Sequence, residues 1–143
     1  MAEFNAYMRF NGKTREAMSF YKDCFGGVLS MTTVGESPMK AMTPPDMHDK
    51  IMHSVLTSDS IMIMGSDLNS DKGYTHGTTM ALCLVCKSRE EIETIFAKLA
   101  EGGQVITPLG EMFFGTYGDL VDKYGFTWIL QFGDGKTEHK KEE

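Results

Sequence analysis

Two residues of this chain are of a type and in a setting that suit proton transfer. His53 stands between Ile51 and Val55, where an imidazole could act as a general base near neutral pH or anchor a ligand through a hydrogen bond. The plainer alternative is a satisfied structural histidine. Glu111 follows Gly110 and precedes Met112-Phe113-Phe114, a carboxylate beside aromatic bulk. Burial there would raise its pKa and suit it to moving a proton, whereas a solvated turn residue would do no chemistry. Phe113, Phe114, Tyr117 and Trp128 follow closely, and alternation along strands would turn some of them inward. They are either a stacking wall for an apolar or aromatic ligand or plain core.

The remaining candidates read more blandly. His48 and His76 lie in polar stretches and are expected to be exposed; His139 is in the charged tail. Cys83 and Cys86 have the spacing of half a zinc or redox site. They fall in an alternating run, however, and three residues along a strand span about 10 Å and point to opposite faces, which neither a disulfide nor one metal ion tolerates. They are expected to be small buried thiols. Twelve methionines are unusual, and Met39, Met42, Met47, Met52, Met62 and Met64 crowd one region. Flexible thioethers there suit either a pliable lid over a cavity or a soft core. Gly65-Ser66-Asp67 and the polar stretch Asn69 to Gly77 lack the glycine spacing and lysine of a phosphate cradle, and read as a linker.

The elements that must position these residues follow from periodicity. The first ten residues alternate, with Ala6, Met8 and Phe10 on one parity, the signature of a half-buried strand. Ala17, Met18, Tyr21, Cys24 and Phe25 then recur at three and four, an amphipathic helix that Gly26 and Gly27 end. Strands are expected at Val28 to Val34, Ile51 to Thr57 and Ser60 to Met64, with a long excursion through Pro38, Pro44 and Pro45 between the first two. The second half repeats this order. Thr79 to Cys86 reads as a strand, and Ser88 with Glu91 forms a capping box before the helical stripe Ile92, Ile95, Phe96 and Leu99, which Gly102 and Gly103 stop. Strand character returns at Val105 to Leu109, Met112 to Phe114, Leu120 to Asp122 and Phe126 to Phe132.

Letters repeat along with the order. Lys13-Thr14-Arg15-Glu16 returns as Lys87-Ser88-Arg89-Glu90, 74 positions on; Gly26-Gly27 as Gly102-Gly103, 76 on; Gly35-Glu36 as Gly110-Glu111, 75 on. Three matches at nearly one offset, in the same structural roles, indicate a duplicated module of strand, helix and three strands. One such unit can curl its sheet into a half-barrel but cannot close it, so two copies are expected around one cavity.

Composition narrows the function. The chain has 143 residues, of which 41% are hydrophobic, with 14 Lys and Arg against 20 Asp and Glu for a net charge of −6. No diffuse positive field draws it to nucleic acid or an anionic membrane. Its longest apolar run, Met80 to Cys86, is far short of the roughly 20 residues that span a bilayer. Three cysteines make no disulfide framework,. A cytoplasmic protein without nucleic-acid or membrane partners is expected.

Specific stretches carry a family resemblance. Tyr7-Met8-Arg9-Phe10-Asn11-Gly12, Arg15 to Tyr21 running into Phe25-Gly26-Gly27, Ile51-Met52-His53, Met64 to Asp67, Phe113-Phe114-Gly115 with Tyr117-Gly118, and Asp122 to Trp128 resemble the PhnB-like branch of the vicinal oxygen chelate superfamily. That superfamily includes glyoxalase I, extradiol dioxygenases and the fosfomycin and bleomycin resistance proteins. The resemblance implies an α+β fold of two βαβββ modules, about residues 1–66 and 78–135, forming one glyoxalase-like half-barrel domain over residues 1–135 with helices outside mixed, curved sheets and a charged tail at 136–143. It adds weight to His53 and brings Tyr7 into the ligand-binding set. It also implies a homodimer, since modules of this superfamily pair across subunits.

Metal-dependent members place a His, Gln or Glu near the start and on the last strand of each module. Laid on this chain, that pattern falls on Asn5, a residue near Ile63, Thr79 and Ile129, none a good ligand for a divalent ion. The expectation is therefore a small organic ligand held in a barrel-like cavity without metal or other cofactor, catalysis being left open. A metal-dependent lyase, isomerase or dioxygenase and a drug-sequestering resistance protein are the alternatives. The branch is often labelled a 3-demethylubiquinone 3-methyltransferase, but no strand here leads into a glycine-rich loop suited to S-adenosylmethionine.

Overall fold

The computed structural model describes residues 1–69 and 73–133, and the tail at 136–143, with His139, lies outside them. The chain divides into two compact units, Met1–Thr75 and His76–Glu143. Among the described residues no helix is long and apolar enough to cross a membrane.

In the first unit, β1 (Ala6–Arg9) leads into α1 (Thr14–Phe25), followed by β2 (Val28–Thr33), β3 (Ile51–Ser58) and β4 (Ile61–Ser66). The sheet order is β1-β4-β3-β2, with β1 parallel to β4 and the other pairs antiparallel. The helical stripe Ala17, Met18, Tyr21 and Cys24 is buried, as are Met8, Leu56 and Ile63 on the strands. Alternation puts those strand residues on one face, and burying two such stripes together is the main stabilising term of the unit. Gly65 sits in the same layer, close enough to Phe10 and Met18 that a Cβ would lie 2.8 Å from the Phe10 ring.

The excursion between β2 and β3 folds as three short 3₁₀ turns, Val34–Glu36, Pro38–Met42 and Pro45–Met47. Thr33 and Glu36 form a reciprocal capping box, and Ser37 accepts from the Met39 N–H. His48 is half-buried rather than exposed. Its Nε2 lies 3.0 Å from the Lys40 carbonyl and 3.2 Å from that of Thr43; carbonyls only accept, so Nε2 carries the hydrogen. Met39 and Met42 are exposed, as is Met62, so the methionine cluster is not a soft core.

In the second unit, β5 (Leu82–Val85) and α2 (Arg89–Ala100) precede β6 (Gln104–Met112), β7 (Gly115–Val121) and β8 (Thr127–Phe132). The sheet order is β5-β8-β7-β6, the same scheme as in the first unit, again with the first strand parallel to the last. Ile92, Phe96 and Leu99 of α2 are buried, as are Leu120, Trp128 and Leu130. Ser88 accepts from the Glu91 N–H as expected, but the Glu91 carboxylate takes the Lys87 N–H instead of returning to Ser88.

Two expected strands are corrected. Met112 to Phe114 is the end of β6 and the turn after it, and Leu120 and Val121 are the end of a longer β7 with Asp122 just beyond it. Gly118 is needed in the sheet, because a Cβ there would lie 2.9 Å from both Phe96 and Leu109.

Candidate functional site

Each helix covers one face of its sheet, so the residues of opposite parity on the strands lie on the face the helix leaves open. In the first unit these are Tyr7 of β1, Met64 of β4, Val55 of β3 and Ser30 of β2, which lie in one row across the sheet. His53 is in the next row, opposite Thr32. Tyr7 is 49% exposed and His53 half-buried. Their rings stack with centroids 6.0 Å apart and planes inclined by 27°. The structure thus joins two residues that the sequence offered separately, with Met64 beside Tyr7 in its row.

In the second unit the face opposite the helix carries Cys83 and Val85 of β5, Ile129 and Gln131 of β8, and Tyr117 and Asp119 of β7. Cys83, Ile129 and Asp119 form one row, and Val85, Gln131 and Tyr117 the next. Phe114 meets Phe113 edge-on at 5.1 Å and Tyr117 edge-on at 6.0 Å, so three of the expected aromatic residues form a chain at the β6–β7 hairpin. Phe113 at its tip is almost fully exposed.

The Tyr117 phenol is pushed up in pKa, first by burial, then by the negative charge of Asp119, by Cys83 and by a hydrogen bond to Asp119. It is therefore a neutral donor at physiological pH. Asp119 Oδ1 is buried with no hydrogen-bond partner among the described residues. Asp119 escaped the sequence reading because its parity with Tyr117 shows only once Gly115–Val121 is one strand.

Trp128 and Glu111 are placed otherwise. Trp128 is 2% exposed, in the row of Leu82 and Leu120 and of the same parity as Leu130. Its indole donates to Asp122 Oδ2 at 2.8 Å, so it belongs to the helix-side core and not to a stacking wall. Glu111 is exposed, and its Oε1 accepts from Arg89 at 2.7 Å and from the Thr116 hydroxyl at 3.0 Å. The pair raises the pKa of Arg89 through that hydrogen bond and charge; the burial that would have suited Glu111 to proton transfer is absent. His53 lies in the first unit and Glu111 in the second.

Cys86 is buried and Cys83 exposed, which corrects the expectation for Cys83. His76 is exposed, as expected, with its ring edge-on to Phe126 at 5.2 Å. Of the positions on which the expected metal-ligand pattern falls, Ile63 is buried in the helix-side layer and its neighbours Met62 and Met64 offer only thioethers; Ile129 has no donor atom, while Asn5 and Thr79 offer a neutral amide and a hydroxyl. Among the described residues no group of three or more His, Cys, Asp or Glu is placed to hold a metal ion. This donor set does not fit a divalent cation.

Residues 2–131 match the model of the family described as 3-demethylubiquinone-9 3-methyltransferase. Among solved structures, protein PA1353 from Pseudomonas aeruginosa is 36% identical with a TM-score of 0.82, over 93% of this chain and 98% of that one. A PhnB protein from Bacillus cereus is 29% identical with a TM-score of 0.70, over 92% and 100%. A glyoxalase/bleomycin resistance protein/dioxygenase family enzyme from Burkholderia phytofirmans shares the fold, with a TM-score of 0.58 at 13% identity over 91% and 95%. Among curated proteins none matches. With the βαβββ order of both units and the family model over residues 2–131, the chain belongs to the PhnB-like 3-demethylubiquinone-9 3-methyltransferase family, and its fold is the one seen in the glyoxalase/bleomycin resistance/dioxygenase protein.

Proposed function

We propose that the protein binds a small organic molecule on its uncovered sheet faces, without a metal ion, and works as a homodimer in the cytoplasm. One observation carries the reading: strands that are half covered by a helix present, on their other side, groups that bind better than they pack. These are Tyr7 stacked on His53, and Tyr117 and Asp119 in adjacent rows of one strand, the latter with a buried oxygen unpartnered among the described residues. A face meant only for solvent would not hold an aromatic pair and a buried acceptor. Methyl transfer, which the family description names, draws no support from the strand-to-helix turns. Phe10 to Lys13 contains one glycine and Cys86 to Ser88 none, so neither has the glycine-rich backbone that cradles a nucleoside cofactor.

The test is metal content of the purified protein together with melting temperature against a small-molecule library, a chelator, and added zinc, nickel, manganese and ferrous ions. A ligand selective for the folded state raises stability by mass action. Shifts from organic compounds that fall away in Tyr7→Ala and His53→Ala, with no response to chelator, are expected. About one metal per chain, lost with stability in chelator, would overturn the metal-free reading and favour lyase, isomerase or dioxygenase chemistry. Light scattering at the dimer mass is expected; a monomer overturns that part.

A further inference from the structure

The second sheet supplies a more specific expectation, which rests on the ligand-binding reading above. A buried carboxylate oxygen without a partner is costly, about 1–3 kcal/mol for a neutral group and more for a charged one, and native proteins keep few of them. Asp119 Oδ1 is one. Tyr117 lies two residues away on the same strand and face, and its phenol is a neutral group that brings no positive charge. None of the strands β5 to β8 contains a Lys, Arg or His, so the sheet offers Asp119 no cation.

The surroundings are half apolar. Ile129 separates Asp119 from Cys83 in one row, and Val85, 68% exposed, ends the next. An acceptor with unmet capacity beside aliphatic side chains is complementary to a molecule with an N–H donor at one end and a hydrocarbon body. The net charge of −6 also favours the approach of a cation over an anion. We propose that this face binds a small organic amine, with its N–H groups donated to Asp119 Oδ1 and its body laid on Ile129 and Val85.

The experiment titrates the full chain with benzylamine and hexylamine, and with the matched alcohols and carboxylates (benzyl alcohol, hexanol, benzoate, hexanoate), following amide shifts by NMR. The amines are expected to move Cys83, Tyr117 and Gln131 and to bind roughly tenfold or more tightly than the carboxylates, the weight of a charged hydrogen bond. Asp119→Asn should lose that preference. If Asp119→Asn does not fold, Cys83→Lys at an exposed position places an ammonium in the same row and should suppress amine binding about tenfold. Carboxylates or alcohols binding as well as amines, or amine binding indifferent to Asp119→Asn or Cys83→Lys, would overturn the amine assignment alone. No binding by these probes or by any compound of the library would overturn both it and the ligand-binding reading.

Discussion

Asp67 Oδ1 accepts two hydrogen bonds from Thr14, 3.0 Å from its backbone N–H and 2.6 Å from its hydroxyl, across 53 residues of chain. Its Oδ2 accepts the Ile51 N–H at 2.8 Å. The N-cap position of α1 is Lys13, whose side chain makes no capping bond, so a distant carboxylate performs the task that a local Ser or Asp performs elsewhere, and its negative charge suits a helix N-terminus. One side chain thus joins the start of α1, the start of β3 and the end of β4.

Asp67→Asn keeps one acceptor but turns an N–H2 group towards a buried donor. The expected loss is about 2–4 kcal/mol in urea unfolding, with Thr14→Val costing about 1–2 kcal/mol because only the hydroxyl bond is lost. An Asp67→Asn loss under about 0.5 kcal/mol, the scatter of ordinary surface substitutions, would show that this junction is not a stability centre.

The repeated Gly-Gly pairs have one physical cause in both units. Gly26 and Gly102 take φ of 74° and 73° after their helices, and a Cβ on Gly27 or Gly103 would run into the carbonyl oxygen of Thr57 or Val121. Gly27→Ala and Gly103→Ala are each expected to cost more than about 2 kcal/mol, since the obstacle is backbone. Gly110→Ala, where a Cβ would meet only the Pro108 oxygen at 3.8 Å, should leave the melting temperature unchanged or slightly raised. Equal losses at all three positions would reject the close-approach explanation.

The thiols should separate cleanly by labelling. Cys86 is pushed up from the ordinary 9.0 to about 11 by burial, then by the charges of Glu91 and Cys83, and burial also raises Cys83. Because the thiolate is the reactive form, the native protein should label slowly at Cys83 alone near pH 8, and at all three cysteines once denatured. Both shifts favour the neutral form in the folded state. Their contribution to stability is therefore complete below pH 9.0 and declines as pH rises towards about 11,, visible as a falling urea midpoint in wild type that flattens in Cys86→Ala. A midpoint that rises over this window contradicts the assignment.

Trp128 is the single tryptophan and is bonded to Asp122 Oδ2, while Asp122 Oδ1 accepts the Tyr124 and Phe126 N–H groups at 2.8 and 3.1 Å. Native emission should be blue-shifted and resist iodide, and red-shift on unfolding. Trp128→Phe should cost about 2 kcal/mol through the lost bond and a partial cavity. Ready quenching of the native protein would return Trp128 to the exposed aromatic set.

Much of this arrangement was legible in one dimension. Both helices, their glycine stops and the duplicated order of elements follow from a 3.6-residue stripe, from punctuation and from letters recurring at one offset. These are local properties, set by which neighbours along the chain can share a face. The stretches that carried the family resemblance include Asp67 and Asp122: Asp67 ties donors of the distant Thr14 and Ile51, and Asp122 ties the nearby Tyr124 and Phe126 N–H groups and the Trp128 indole.

The site was legible only in part. Tyr7 and His53 were each named from the sequence, but their contact depends on how β1, β4 and β3 line up. Glu111 and Trp128 were assigned from neighbouring aromatic residues, whereas the face of a strand is decided by where it begins and by its register, and a slip of one residue turns every side chain over. Separate strands expected at Met112 to Phe114 and Leu120 to Asp122 left out most of β7, and with it the parity that puts Tyr117 and Asp119 on one face. The sequence by itself therefore determined the elements and the family, through local periodicity. Tertiary structure decided which carboxylate is paired at the surface and which oxygen is buried alone, because strand pairing and helix cover are contacts between residues far apart in the chain.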